Sequence, residues 1–277
     1  MSSPPTSPPT AGAGTLLRGW RERRRCSQLD LSSRAGVSTR HLSFVETGRA
    51  TPSREMVLLL AEHLDVPLRE RNRLLLAAGY APVHAQTPLQ APALDPVRAA
   101  IRQLLDGHDP WPALVVDRGW HLVDANRSLA LLTDLVHPSL LEPPANVLRA
   151  TLHPRGLAPH VTNLGAWRAH LLGRLARQVE VSGDEELGDL LAELRRYPGG
   201  DRPAELPLAG EIAVPLRLRV GAVPLALISM VATFGTPLDV TVAELSIESF
   251  FPADDATARY LHGRSGPEAS GSVNPGT

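Results

Sequence analysis

The sequence predicts an all-α domain of five helices followed by an α+β domain built on an antiparallel sheet. Three observations carry that expectation. Between Thr15 and Tyr80, apolar residues recur at helical spacing behind capping residues such as Ser38 and Ser53. Within that span two short helices flank the turn Ala35-Gly36-Val37, the helix-turn-helix layout. From Glu211 to Phe250, by contrast, three segments rich in Val, Ile, Thr and Phe are divided by Gly or Pro turns and read as strands.

Length and composition agree with two domains. The chain has 277 residues, 43% of them hydrophobic and 21% charged, which is globular, while 22 Gly and 26 Pro imply generous loops. A single cysteine, Cys26, excludes an internal disulfide framework. Met1 to Gly14 lacks the basic-then-apolar order of a signal peptide, and no uncharged apolar run reaches about 18 residues, so a cytoplasmic, nucleoid-associated protein with no membrane partner is expected. The formal charge of −1 conceals an asymmetry: Thr15 to Tyr80 holds 12 Arg against 7 Asp plus Glu, and the rest holds 16 against 22. No lysine occurs, which excludes a Schiff-base lysine, a P-loop lysine and a Ser-Lys dyad.

Residues 1–14 are Ser, Pro, Thr, Ala and Gly, too poor in apolar surface to order, and are expected to be disordered. The first helix is expected over Thr15 to Arg25, with Leu16, Leu17 and Trp20 inward. Its Arg18, Arg21, Arg23, Arg24 and Arg25 make either a solvated face or a phosphate-facing one. Gln28 to Arg34 forms the second helix. Ser38 caps the third, Leu42 and Val45 face the core, and Gly48 ends it in a left-handed conformation. Ser53 starts a helix with Met56, Leu59, Leu60 and Leu64 as core, and Pro67 to Ala78 is a fifth, ending at Gly79. The five close a domain over residues 15–80.

Residues 81–94 form a linker rich in Pro, Ala and Gln, and a second domain is expected over 95–263. Pro96 opens a helix reaching about Leu105. Ala113 to Val116 and Trp120 to Val123, separated by Asp117-Arg118-Gly119, predict a hairpin. Helices are expected over Asn126 to Leu135, Leu164 to Val179 and Asp184 to Arg196, with a loop over Pro138 to Pro144. The late strands are Glu211 to Val220, Leu225 to Phe234 and Val240 to Phe250, an antiparallel meander. Residues 264–277 are a polar, disordered tail.

Beyond these patterns, Ser27-Gln28-Leu29-Asp30-Leu31, Ala35-Gly36-Val37-Ser38 and Val45-Glu46-Thr47-Gly48-Arg49 resemble the Xre/Cro-like DNA-binding domains. The second domain resembles a PAS-like sensor fold. The whole chain, from about Leu16 to Leu261, is similar to the MmyB-like regulators of actinobacteria. That likeness rests on Pro67 to Asn72, Leu76 to Pro82, Asn146-Val147-Leu148-Arg149 with Leu152-His153-Pro154, Phe234 to Pro237 and Glu248 to Pro252. The resemblance implies a transcription factor with a small-molecule-binding C-terminal domain, and an ion pair between Glu46 and Arg21.

The expected DNA-binding residues are Gln28, Ser38, Thr39, Arg40, His41, Ser43, Phe44 and Arg49. Gln28 belongs beside a phosphate, and Arg40 is the best base reader, because its fork fits guanine O6 and N7. Phe44 either meets a thymine methyl or packs. The expected partners are double-stranded operator DNA, read as an inverted repeat by a homodimer, and a small apolar ligand. For that ligand the candidate contacts are Trp111, Trp120, Asn126, Trp167, His170 and Tyr197, whose plainer reading is ordinary core. The late strands, with Ile212, Val214, Leu225, Leu227, Ile228 and Val231, and the helical Leu129, Leu132, Trp167 and Leu171 are expected to enclose it. A second domain that only dimerises or recruits a protein partner is the alternative. Ten His residues form no compact metal-ligand set, no cofactor motif is present, and no nucleophile or protease signature occurs, so neither a metal, a cofactor nor catalysis is expected.

Overall fold

The computed structural model describes residues 12–199 and 213–264. The described residues divide into two compact units, one of 12–88 with 180–182 and 236–243, the other of 89–179, 183–199, 213–235 and 244–264.

Five helices build the N-terminal part of the first unit: α1 (Ala13–Arg23), α2 (Gln28–Ala35), α3 (Thr39–Glu46), α4 (Arg54–His63) and α5 (Leu68–Ala77). Helix α1 begins two residues ahead of the expected Thr15 and stops before Arg25, which adopts φ 51°. Ser27 and Asp30 form a reciprocal capping box at the start of α2, and Gly36 at φ 66° closes the helix. The Ser38 hydroxyl accepts from the His41 amide, and Gly48 has φ 72° as expected of a helix end. In α4 the buried stripe is Val57, Leu60, Ala61 and Leu64, whereas Met56 and Leu59 are only half-buried. Met56 to Ala61 is apolar throughout, so periodicity alone does not select the stripe; packing against α2 and α5 does. Leu74 and Leu75 of α5 complete the core with Leu17, Trp20, Leu31, Leu42 and Val45. Past α5, the Asn72 carboxamide accepts from the Val83 and His84 amides at 3.1 Å each and donates to the His84 carbonyl, fixing the start of the following segment.

The second unit opens with a 3-10 turn, Pro92–Leu94, and α6 (Asp95–Gly107). Strand β1 (Ala113–Val116) pairs with β2 (Leu122–Ala125), which starts two residues later than expected because Trp120, at φ 65°, lies in the turn. That turn is held by Asp117, whose Oδ1 accepts from the Gly119 and His121 amides. The helix expected over Asn126 to Leu135 is shorter: a 3-10 turn, Arg127–Leu129, then α7 (Ala130–Thr133). Next come α8 (Val147–Leu152), capped by Asn146 and absent from the sequence reading, α9 (Leu164–Ser182), and α10 (Glu185–Arg195), capped by Asp184.

Strands β3 (Leu216–Val220), β4 (Val223–Thr233) and β5 (Ser246–Pro252) finish the sheet, and α12 (Asp255–Arg264) follows. Glu211 and Ile212 lie outside the described residues, as do 1–11 and 265–277 of the ends expected to be disordered over 1–14 and 264–277; of the remainder, Ala13 and Gly14 are helical in α1 and Arg264 ends α12. The strand expected from Val240 begins instead with a helical turn, α11 (Val240–Ala243), because the Asp239 carboxylate accepts from the Thr241 amide and nucleates it.

The sheet order is β2-β1-β5-β4-β3, antiparallel throughout, with the three late strands forming the expected meander. This is the α+β layout with an antiparallel sheet that the sequence predicts. Strand β1 is buried on both faces. Leu114 and Val116 join the core covered by α7, α8, α9 and α10, while Ala113 and Val115 join Ile101 and Leu105 of α6 on the reverse side. The α7–α10 side of β1 is therefore an interior.

Candidate nucleic-acid interface and internal cavity

The α3 helix is fixed from beneath by one carboxylate. Glu46, 5% exposed, accepts from Arg21 Nε at 2.6 Å, from a second Arg21 nitrogen at 2.8 Å and from Gln28 Nε2 at 2.8 Å. Arg21 also donates to the Cys26 carbonyl. One buried acid thereby ties α1, α2 and α3 together, and the pairing expected between Glu46 and Arg21 is present. Burial alone would push the Glu46 carboxyl up; the Arg21 and Gln28 hydrogen bonds outweigh it and hold the group below the ordinary range.

With its underside committed, α3 presents a defined face. Arg40 and Arg49 are exposed, and His41, Ser43 and Phe44 are half-buried. The Arg40 guanidinium lies over the Phe44 ring at 5.4 Å, a contact that steadies the arginine. Three other residues expected at DNA have internal partners. Gln28 is bonded to Glu46, the Ser38 hydroxyl caps α3, and Thr39 Oγ1 lies 2.8 Å from Ser32 Oγ. Arg24 is engaged in a similar way: its guanidinium donates to the Leu64 and Asp65 carbonyls at 2.8 and 2.9 Å, capping the end of α4.

In the second unit, the interior face of the sheet borders a cavity of about 90 Å³. Leu114, Leu122, Leu216 and Phe250 come from the strands, and Leu132, Leu148, Trp167 and Leu171 from α7, α8 and α9. Two charged side chains share this wall. Arg174 donates to Glu248 at 2.7 and 3.3 Å, and its guanidinium stacks over Trp120 at 4.9 Å. The Trp120 indole N–H donates to Gln178 Oε1 at 2.8 Å. Asn146, also in the wall, is occupied: its nitrogen donates to the Gly119 carbonyl and its oxygen accepts from the Leu148 and Arg149 amides. Trp167 Nε1 differs from these groups, being buried with no hydrogen-bond partner.

Of the six expected ligand contacts, Trp120 and Trp167 lie in the cavity wall and four do not. Trp111 packs against His108, Phe251 and His262. Asn126 is a structural clamp, accepting from the Ala113 amide and donating to the Trp111 carbonyl. His170 stacks on Trp167 at 5.3 Å, and burial, reinforced by Arg174 and Arg177, holds its imidazole below the usual range. Tyr197 donates to Glu193, and burial with that carboxylate pushes its phenol up to about 12. Leu129, Leu132, Trp167 and Leu171 do enclose the cavity, as expected. On β4, however, Ile228 belongs to the opposite face from Leu225 and Leu227, and Val231 is exposed where the strand outruns β3. Arg174 and Glu248 were missed, although Arg174 follows Trp167 and Leu171 on one α9 stripe, and a charge on an apolar stripe is a legible signal.

A helix-turn-helix with an exposed α3 face is carried on one chain with an α+β domain that encloses a cavity. Residues 17–71 match the helix-turn-helix family, and residues 97–262 match the MmyB-like transcription regulator ligand binding domain. The chain belongs to this MmyB-like family. No curated protein matches it. A solved structure titled as an RNA-binding light-oxygen-voltage receptor aligns at 15% identity and a TM-score of 0.27, over 91% of this chain and 60% of that one, so this chain spans about 60% of its length. Among the described residues no helix is long and apolar enough to cross a membrane.

Proposed function

We propose that the α3 face reads an operator sequence, that the protein acts as a homodimer on an inverted repeat, and that a small, largely apolar ligand in the second unit controls operator affinity. The observation that carries the control step is the cavity, whose wall is leucine and aromatic with few polar groups, the composition common to small-molecule sites. At about 90 Å³ it suits a slender ligand, and a bulkier one requires the wall to yield. On this reading Arg40, His41, Ser43, Phe44 and Arg49 meet DNA, while Gln28, Ser38 and Thr39 hold those residues in place. The protein is a regulator, not an enzyme, and works in the cytoplasm, where the chromosome is.

The ligand must bind the DNA-competent and DNA-incompetent states differently, with a coupling of roughly 1 to 3 kcal/mol. Titrating extracted lipophilic metabolites into the full chain, while following melting temperature and operator binding by fluorescence anisotropy, tests the proposal. The expected result is a fraction that raises the melting temperature and shifts the operator Kd by about 5- to 150-fold. If no fraction does either, the second unit is a dimerisation or partner-docking module.

A further inference from the structure

One stretch of the sheet's edge is left open. Strand β4 covers Val223–Thr233, yet β3 pairs with it only over 223–227, while β5 pairs with it over 227–233. Residues 228–233 therefore form an edge on the side away from β5. Successive residues of an antiparallel strand send their N–H and C=O groups to opposite sides. The Ala226 carbonyl accepts from the Ala253 amide, just past the end of β5, so Ile228, Met230 and Ala232 address β5 while Ser229, Val231 and Thr233 point outward. Among the described residues no hydrogen-bond partner meets the outward backbone groups of Ser229, Val231 and Thr233. The side chains are open too: Met230, on one face, is 59% exposed, and Val231, on the other, 45%.

Such an edge is a template for another strand, and proteins ordinarily close it with a charge, a proline or a bulge. The run Ile-Ser-Met-Val-Ala-Thr has no charge and no proline, and its pairing with β5 is regular. The chain's own upstream residues do not cover it, because 213–215, the continuation of β3, lie outside the strand, and Ala213 is exposed where the described chain resumes. The edge does match itself, as a contact about a two-fold axis requires. With the axis at Val231, that residue faces its own copy, Ser229 faces Thr233, and Met230 faces Ala232. Outward groups then meet outward groups, a long side chain lies beside a short one, hydroxyl lies beside hydroxyl, and no like charges are brought together. Moving the axis back by one residue would set Thr233 against Leu227, which β3 already holds. We propose that residues 228–233 are the homodimer interface, pairing antiparallel with the same residues of a second copy; this rests on the homodimer proposed above and gives it a place.

Sedimentation of the full chain over a range of concentrations, with amide hydrogen exchange read by NMR on the same samples, tests the proposal. The unaltered protein is expected to dimerise reversibly, with the Ser229, Val231 and Thr233 amides protected when concentrated and exchanging freely when dilute. Val231→Pro removes an outward donor that β5 does not use, so it should raise the dimer dissociation constant about tenfold or more and leave the melting temperature of the dilute monomer little changed. Val231→Lys and Val231→Glu should each weaken the dimer, and mixing the two should restore it, a gain that misfolded variants cannot show. If the unaltered protein is dimeric but all three variants dimerise equally well, or the mixture associates no better than either variant alone, the edge is not the interface although the homodimer stands. Amides protected at every dilution would mean that the chain's own residues cover the edge, and would overturn the proposal in the same way. An unaltered protein that is monomeric both free and on operator DNA counts against both readings.

Discussion

Arginine at position 40 and arginine at position 24 illustrate how the same side chain takes different work from its surroundings. Arg40 projects from α3 with the Phe44 ring beside it, whereas Arg24 is engaged by the Leu64 and Asp65 carbonyls. Arg40→Ala should therefore cost about 1 to 3 kcal/mol on the cognate operator and relax preference at one base pair, with non-specific affinity little changed. Equal losses on operator and random DNA would remove the base-reading role. Arg24→Ala should act on the fold instead, lowering the melting temperature while leaving the salt dependence of DNA binding as it was. Glu46 adds a pH dependence. Its carboxyl is held below the ordinary value of 4.5, so the folded state binds its proton less readily than the unfolded chain. The resulting stabilisation is complete above about 4.5 and is lost as the pH falls through the folded-state value. Melting curves of the unaltered protein and Glu46→Gln should accordingly differ most near neutral pH and converge in acid.

At the scale of elements, the helix-turn-helix depends on how closely α1 approaches α3. Gly14, in the first turn of α1, has no side chain where an added Cβ would lie 2.1 Å from the Val45 carbonyl oxygen. That is backbone and cannot rotate away. Gly14→Ala should push α1 off α3, destabilise the domain by about 1 to 3 kcal/mol or more, and weaken operator binding in proportion, because the Arg21–Glu46 bridge spans the same two helices. Urea unfolding followed by circular dichroism measures the first effect and anisotropy the second. An unchanged midpoint would show that the two helices have room to separate. The sheet follows a similar logic of close neighbours. Strand β1 lies between β2 and β5 and is buried on both faces, so its four residues Ala-Leu-Val-Val read as a continuous apolar run and not as an alternating one.

For the whole molecule, the length of α3 sets a limit on what one copy achieves. Eight residues, Thr39 to Glu46, reach only a few base pairs, which is too few for useful discrimination in a genome. A homodimer on an inverted repeat, with half-sites about 34 Å apart, is the expected arrangement. Sedimentation should give a dimer, and footprinting should show two protected half-sites one helical turn apart. A monomer protecting a single short site would contradict it.

Local signals were legible in the amino-acid sequence because they act between near neighbours. Ser38 and Gly48 announce the start and end of α3, the Ala35-Gly36-Val37 turn separates it from α2, and the apolar stripe of α9 places Trp167 and Leu171 inward. Together with the family motifs they determined the class of protein, the five-helix domain and the antiparallel sheet. Short elements were harder. Asp239 diverts the start of an apolar run into a helical turn, and the φ of Trp120 moves β2 along by two residues, because one side chain or one dihedral outweighs a weak pattern. Only the tertiary structure decided which polar groups are available. Gln28 is taken by Glu46, 18 positions away, and Asn126 by Ala113 and Trp111. Arg174 meets Glu248 across 74 positions, while Trp167 is left without an acceptor. Whether a buried donor or charge finds a partner depends on which distant segments the fold brings within hydrogen-bonding distance, and spacing along the chain does not encode that.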